Sequence, residues 1–452
     1  MTAPAALAAR FPASFGFGVA TAAYQIEGAV KEDGRGPSIW DAFSHMPGRV
    51  FEGHTGDIAC DHYHRYEADL DLIAGMGVSA YRFSIAWPRI LPDGRGAINE
   101  KGLDFYDRLL DGLRARKIEA HATLYHWDLP LALMADGGWT GRGTAQAFAD
   151  YATVVTERFG DRLASIATFN EPWCSVWLSH LYGIHAPGER SMDAALHALH
   201  VTNLAHGLGV QAIRAARADL PVGLVLNAHA VFAQTNSEID QQAAERAFSF
   251  HNGVFFGPVF AGAYPDDFME ALGDRMPVIE DGDMATIREP LDWWGLNYYT
   301  PMRVRHDASD GAQFPMAVSA VPDTAEKTDI GWEIEPQGLA YLIRELNARY
   351  DLPPMRITEN GACTNEGVEN GEVADDRRLA YIADHLAVVA DAIDEGFAID
   401  AYFAWSLMDN FEWAEGYRMR FGLVHVDYET QVRTVKRSGR WYADLVRAHS
   451  DR

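Results

Sequence analysis

Two glutamates close short apolar and β-branched runs: Glu171 in Ala167-Thr168-Phe169-Asn170-Glu171-Pro172, and Glu359 in Arg356-Ile357-Thr358-Glu359-Asn360-Gly361. Each run reads as a buried strand that stops at a carboxylate, with Pro172 or Gly361 close behind to break it. If one parallel barrel carries both runs, both groups emerge at its C-terminal face, where such barrels do chemistry. Two facing carboxyl groups suit cleavage of a glycosidic bond. One protonates the leaving oxygen and the other attacks the sugar or activates water.

Such a pair needs a scaffold, and the pattern along the chain supplies one. Apolar strands are expected at 15–19, 80–86, 119–124, 165–169, 222–226, 293–296, 355–357 and 401–404, with helical patterns at 63–76, 102–117, 144–159, 194–218, 336–350 and 375–395. Strands alternating with helices from end to end predict an α/β fold, a (β/α)8 TIM barrel with long βα loops. No Gly-x-Gly-x-x-Gly opens a helix after the first strand, so a dinucleotide fold loses its main support. Neither a linker nor a repeat divides the chain. The expectation is one domain over 1–452, with the barrel at about 11–448 and a short N-terminal extension at 1–10. The long polar stretch 301–335 follows the sixth strand and reads as a wall of the barrel mouth.

The strand ends repeat one chemical theme. Tyr24-Gln25-Ile26-Glu27 follows the first strand, Tyr125-His126-Trp127-Asp128 the third, Asn297-Tyr298-Tyr299 the sixth, and Trp405 to Trp413 the eighth. Amides, imidazole and carboxylate hold hydroxyls by directional hydrogen bonds, while indoles offer flat apolar faces with one donor at the edge. The twelve tryptophans read equally as core filling and as sugar stacking.

Composition narrows the classes. A formal net charge of −26 disfavours a nucleic-acid track and an anionic membrane surface. Cys60, Cys174 and Cys363 form no Cys-x-x-Cys pair, which argues against a disulfide framework or a structural zinc. Cys174 reads as a packed thiol. His62-x-His64 and His197-x-x-His200 are short patterns, the first at a helix start, so no metal and no cofactor is expected. No signal peptide or bilayer-length apolar run is visible, and a cytoplasmic protein is the default.

The segments 18–28, 123–130, 168–172, 294–299, 357–361 and 404–413 resemble those of glycoside hydrolase family 1, the retaining β-glucosidase family, in family order from about 11 to about 448. The resemblance implies Glu171 as acid/base and Glu359 as nucleophile. It implies Gln25, His126, Asn170 and Glu412 as the polar groups that hold the glycone, with Trp405 and Trp413 flooring and flanking it. Trp127 lies in the same glycone motif, and Arg82, Asn297 and Tyr299 match groups near the nucleophile. The expected activity is retaining hydrolysis of terminal β-D-glucosyl, and also β-galactosyl or β-fucosyl, O-glycosides.

Physical chemistry adds to these roles. Arg82 and the Tyr299 hydroxyl should favour an ionised Glu359, whereas burial and nearby negative charge should raise Glu171, the two titrating as a coupled pair. Retention implies carboxyl groups about 5–5.5 Å apart. Relatives acting on 6-phospho sugars carry Ser where Glu412 stands, so a negative charge here should exclude phosphate and select a plain glycone. The expected partners are small-molecule β-glycosides or short oligosaccharides such as cellobiose, with monomer and homo-oligomer both open. A transglycosylase, a binding protein on an inactive barrel and a metal-dependent amidohydrolase are the competing readings.

Overall fold

The structure, a computed structural model, describes residues 3–309, 314 and 316–452. Eight parallel strands close into a barrel: β1 (Gly16–Ala20), β2 (Ala80–Ser84), β3 (Glu119–Tyr125), β4 (Ser165–Asn170), β5 (Val222–Asn227), β6 (Trp293–Asn297), β7 (Met355–Asn360) and β8 (Ile399–Trp405). Each strand lies beside its neighbours in the chain, and β8 closes on β1 in a register running from Gly16 opposite Ala401 to Ala20 opposite Trp405. Every residue of β2 and of β4 is buried, as parallel strands covered on both faces require.

The helices form the outer layer because their sequences carry one apolar stripe each. In Glu100–Ala115 the buried Leu103, Tyr106, Leu110 and Leu113 recur at helical spacing, while Asp104, Asp107 and Asp111 face outward. Met192–Ala216 starts at Ser191, whose hydroxyl accepts from the Ala194 N–H at 3.2 Å and satisfies one of the free donors of the first turn. All eight expected strands and all six expected helices are present. Helix ends fall within two residues of expectation, and four strands run on through a terminal Asn, at Asn170, Asn227, Asn297 and Asn360, while β2 stops at Ser84, two residues short.

Three regions differ from expectation. Stretch 301–335 is not wholly irregular: Met302–His306 pairs with Met316–Val318 and with Val231–Ala233 in a small three-stranded sheet. Residues 310–313 and 315 of that stretch lie outside the described residues, as do residues 1 and 2. Between β5 and β6, where no element was expected, Glu238–Phe248 runs on helically through Ala261. The N-terminal segment is docked: Pro4–Ala8 is a short helix with Leu7 and Ala8 buried, and Arg452 donates to the Ala8 and Phe11 carbonyls at 2.9 and 3.0 Å. Among the described residues no helix is long and apolar enough to cross a membrane.

Candidate active site

The C-terminal ends of the strands surround a cavity of about 500 Å³, within the range of small-molecule sites. Glu171 and Glu359 both line it, with His126, Trp127, Asn297, Tyr299, Trp405, Glu412 and Trp413. Gln25, Asn170 and Arg82 stand one layer behind, bonded to the residues that do. The backbone holds both carboxylates in place. The Glu171 N–H donates to Val225 O on β5 at 2.9 Å, and Glu359 O accepts from the Tyr298 N–H at 3.0 Å. Gly361 is required at its position: a Cβ there would sit 1.8 Å from the Trp405 carbonyl oxygen of β8. Trp127, Glu171 and Trp413 all have left-handed backbone, with φ of 79°, 47° and 49°. Such conformations cost on the order of 1–3 kcal/mol each and persist where the surroundings hold them.

One always-charged donor orders the polar network. Arg82 on β2 reaches across the barrel, Nη1 donating to Glu359 Oε1 at 2.7 Å and Nη2 to Asn170 Oδ1 at 2.6 Å. Because guanidinium only donates, the Asn170 oxygen must face it. Asn297 must then turn its Nδ2 toward Asn170 Oδ1 at 3.0 Å, and the same nitrogen donates to Glu171 Oε1 at 2.7 Å. Thr358 completes the chain by donating to Asn297 Oδ1 at 2.7 Å. On the other side the Asn170 Nδ2 meets His126 Nε2 at 3.2 Å, which leaves the imidazole proton on Nδ1. Tyr299 donates to Glu359 Oε2 at 2.6 Å, so both nucleophile-side oxygens are held.

The two glutamates sit in different company. Glu171 is raised above the ordinary carboxylate range, first by burial and then by the charge of Glu359. Glu359 is raised as well, because burial outweighs Arg82, Tyr299 and Asn297, which oppose it. The expectation that Arg82 and Tyr299 favour its ionised form is right in sign, but desolvation dominates. Glu412 is pushed up to about 8 by burial and by Glu359 and Glu171. That upward shift disfavours its charged form, and the argument that its charge repels a phosphate weakens. Burial drives His126 well below its usual range, so its imidazole is neutral. Gln25 donates to Asn410 Oδ1 at 3.0 Å and Phe411 O at 2.9 Å, while Glu412 Oε2 lies 3.5 Å away. Gln25 Oε1 and His126 Nδ1 are buried polar atoms with no hydrogen-bond partner among the described residues.

Aromatic rings wall one end. His126 stacks on Trp405 and Trp413 at 5.8 and 6.0 Å, and Trp127 tilts against Trp413 at 4.6 Å. Five of the twelve tryptophans line the cavity, whereas Trp40, Trp87, Trp139, Trp177 and Trp294 are fully buried core. The loops after β4, β6 and β8 contribute Trp173, Trp332 and Phe421, among others.

The β5 end, Asn227-Ala228-His229, also lines the cavity and is not among the site residues expected from the sequence. Its one available signal was its position after a strand. The two histidine pairs have other uses: His62 bonds Asp69 at 2.8 Å, and His200 lies between Asp283 and Tyr264 at 2.9 and 3.0 Å. Cys60, Cys174 and Cys363 are all free and buried, and of the three Cys174 lines the cavity.

Comparisons with known proteins find one family along nearly the whole chain. The model of glycosyl hydrolase family 1 matches residues 7–451. A β-glucosidase of Agrobacterium sp. (strain ATCC 21400) is 66% identical over 98% of this chain and 97% of its own. A bifunctional β-D-glucosidase/β-D-fucosidase of Bifidobacterium breve is 44% identical over 98% and 99%. The structure of the virulence factor SghA of Agrobacterium tumefaciens, in complex with its substrate analogue salicin, superposes with a TM-score of 0.97 at 66% identity and covers 99% of both chains.

Proposed function

Since the chain belongs to glycosyl hydrolase family 1 and is a glycosidase with β-glucosidase relatives along its whole length, we propose that it cleaves terminal β-D-glucosides with retention, Glu359 acting as nucleophile and Glu171 as acid/base. One observation carries the assignment: the two buried carboxyl groups have unequal partners. Glu359 has a guanidinium and a phenol on its two oxygens, while Glu171 has a neutral amide and a thiol. The better-solvated charge belongs to the group that attacks, and the carboxyl raised by burial beside it keeps its proton for the leaving oxygen.

The reaction then proceeds in two displacements. Glu359 attacks the anomeric carbon while Glu171 protonates the departing oxygen, giving a glycosyl-enzyme on Glu359. Loss of the Glu359 charge removes one cause that raised Glu171, so Glu171, having given its proton to the departing oxygen, stays ionised and accepts a proton from the incoming water. Gln25, His126, Asn170 and Glu412 hold glycone hydroxyls, the bare Gln25 Oε1 and His126 Nδ1 among the atoms free to do so. Trp405, Trp413 and Trp127 receive the sugar face. The glycone is unphosphorylated: no Lys or Arg is among the residues lining the described cavity, so a phosphate would find no counter-charge there. β-Fucosides fit the same reading, in line with the bifunctional relative, as do aryl glucosides of the salicin kind. The whole chain works as one catalytic domain.

The test is the anomer first released. Hydrolysis of p-nitrophenyl β-D-glucoside followed by proton NMR should show β-glucose before mutarotation. Initial α-glucose contradicts the retaining mechanism.

A further inference from the structure

We propose that Cys174 is a positioning residue for Glu171, its thiol donating to the carboxylate and tuning how readily that group releases and retakes its proton. The inference rests on Glu171 being the acid/base. Cys174 Sγ lies 3.1 Å from Glu171 Oε2, and the side chain is 5% exposed at the cavity wall. The contact is built into the backbone. The Cys174 N–H donates to Glu171 O at 3.0 Å, closing one turn that brings residues three apart onto one side. Ser179 Oγ donates to the Cys174 carbonyl at 3.1 Å, and Glu171 is itself pinned to β5. Neither partner is free to swing away.

The bond has a defined direction. Three carboxyl groups act on the thiol, Glu171, Glu359 on β7 and Glu412 after β8, and together with burial they hold it far above the usual thiol range. Arg82, the cation that acts on Glu171, is engaged by Glu359 and Asn170, and His126 is neutral. The sulfur therefore keeps its hydrogen throughout the working range and donates to an ionised Glu171. Asn297 donates to the other oxygen, Oε1. A thiol is a weak donor, but in a buried site of low dielectric a single donor matters to a charge.

Two steps feel the same donor. In the first, stabilising the carboxylate makes Glu171 a stronger acid toward the leaving oxygen. In the second, it keeps Glu171 ionised as base. Removing the donor raises the Glu171 pKa in both states of the enzyme. For Cys174→Ala, the alkaline limb of kcat/KM should move to higher pH by about half a unit. The acid limb of kcat on 2,4-dinitrophenyl β-D-glucoside, whose good leaving group makes the second step limiting, should move the same way. Cys174→Ser, which keeps a donor, should return both limbs toward wild type.

The experiment is the pair of pH profiles for wild type, both cysteine variants and Glu171→Gln. A change in kcat with both limbs in place would mark a merely structural role and overturn the inference, as would equal shifts in the Ala and Ser variants. Loss of the alkaline limb in Glu171→Gln, with unmoved limbs in Cys174→Ala, overturns only the role of the thiol. An alkaline limb that survives in Glu171→Gln overturns the acid/base reading and this inference together.

Discussion

Arg82 and Glu359 face each other at 2.7 Å inside the barrel, the guanidinium 3% and the carboxylate 4% exposed. Taking two charges so far from water is costly, and the cost is offset by the Arg82 and Tyr299 donors on the two Glu359 oxygens and by the second Arg82 bond to Asn170. Arg82 also ties the nucleophile's strand to Asn170 beside the acid/base, so one side chain sets the geometry of both halves of the site. Lysine keeps the charge but cannot fork between two acceptors. Arg82→Lys should lower kcat/KM on p-nitrophenyl β-D-glucoside by about 100-fold or more, which is about 2.7 kcal/mol of transition-state stabilisation. Steady-state kinetics on folded variant protein checks this, and activity within a few-fold of wild type would contradict the bridging role.

The pH profile follows from the directions of the two shifts. The free enzyme must hold Glu359 ionised and Glu171 protonated, and burial raises both. Activity is therefore gained as pH rises through the lower macroscopic pKa of the pair and lost as pH rises through the higher one. Both limbs of kcat/KM should lie above the ordinary glutamate range. An acid limb in the range of an unperturbed carboxylate would show that the burial of Glu359 is relieved in solution.

Glu412 tests the glycone end. With its carboxyl lifted to about 8, a hydroxyl pair docking on it both hydrogen-bonds and draws it toward ionisation. Charged hydrogen bonds of this kind contribute about 1.5–3 kcal/mol. Glu412→Ser should cut kcat/KM for the plain glucoside by about 10- to 100-fold. It should gain no activity on the 6-phospho-glucoside, because the described cavity wall brings no Lys or Arg to the phosphate. Brisk turnover of the phosphorylated substrate by the variant would show that Glu412 alone decides that choice.

Beneath the loop carrying Glu412, Lys436 donates to Asp409 Oδ1 at 2.6 Å with both side chains fully buried, and Arg420 donates to Asp409 Oδ2 at 2.7 Å. Lys436→Met leaves Asp409 buried with one cation fewer and should cost about 3 kcal/mol of stability, read by denaturant unfolding. Asp409→Asn combined with Lys436→Met should cost less than the sum of the single changes. Asp409 is depressed below its usual range, its cations outweighing burial. Its contribution is thus present above the ordinary Asp pKa and lost as pH falls through the depressed value. Full additivity would show that the two side chains do not interact.

What was legible in the chain, and what was not, has a physical pattern. The eight strands stood out because strands covered on both faces read as unbroken apolar and β-branched runs. Their ends were misjudged because Asn170, Asn227 and Asn297 are strand by backbone but loop by composition. Motifs rich in Trp, His and Glu brought nine site candidates to the cavity wall, whereas Asn227 and His229 escaped because isolated Asn and His carry no spacing signal. Cys174 was read only as a packed thiol. Its spacing of three from Glu171 was visible, but the helical turn that makes the spacing count was not. The shift of Glu412 depends on burial, which no local pattern reports.

The central claim, Glu359 as nucleophile, is tested most directly by trapping the intermediate. Incubation with 2,4-dinitrophenyl 2-deoxy-2-fluoro-β-D-glucoside slows both steps but leaves a good leaving group, so the glycosyl-enzyme should accumulate. Mass spectrometry of a peptic digest should then find one fluoroglucosyl group, on Glu359 in the peptide containing Ile357-Thr358-Glu359-Asn360. A label on Glu171 or any other residue, or turnover with no covalent species at all, would contradict the account.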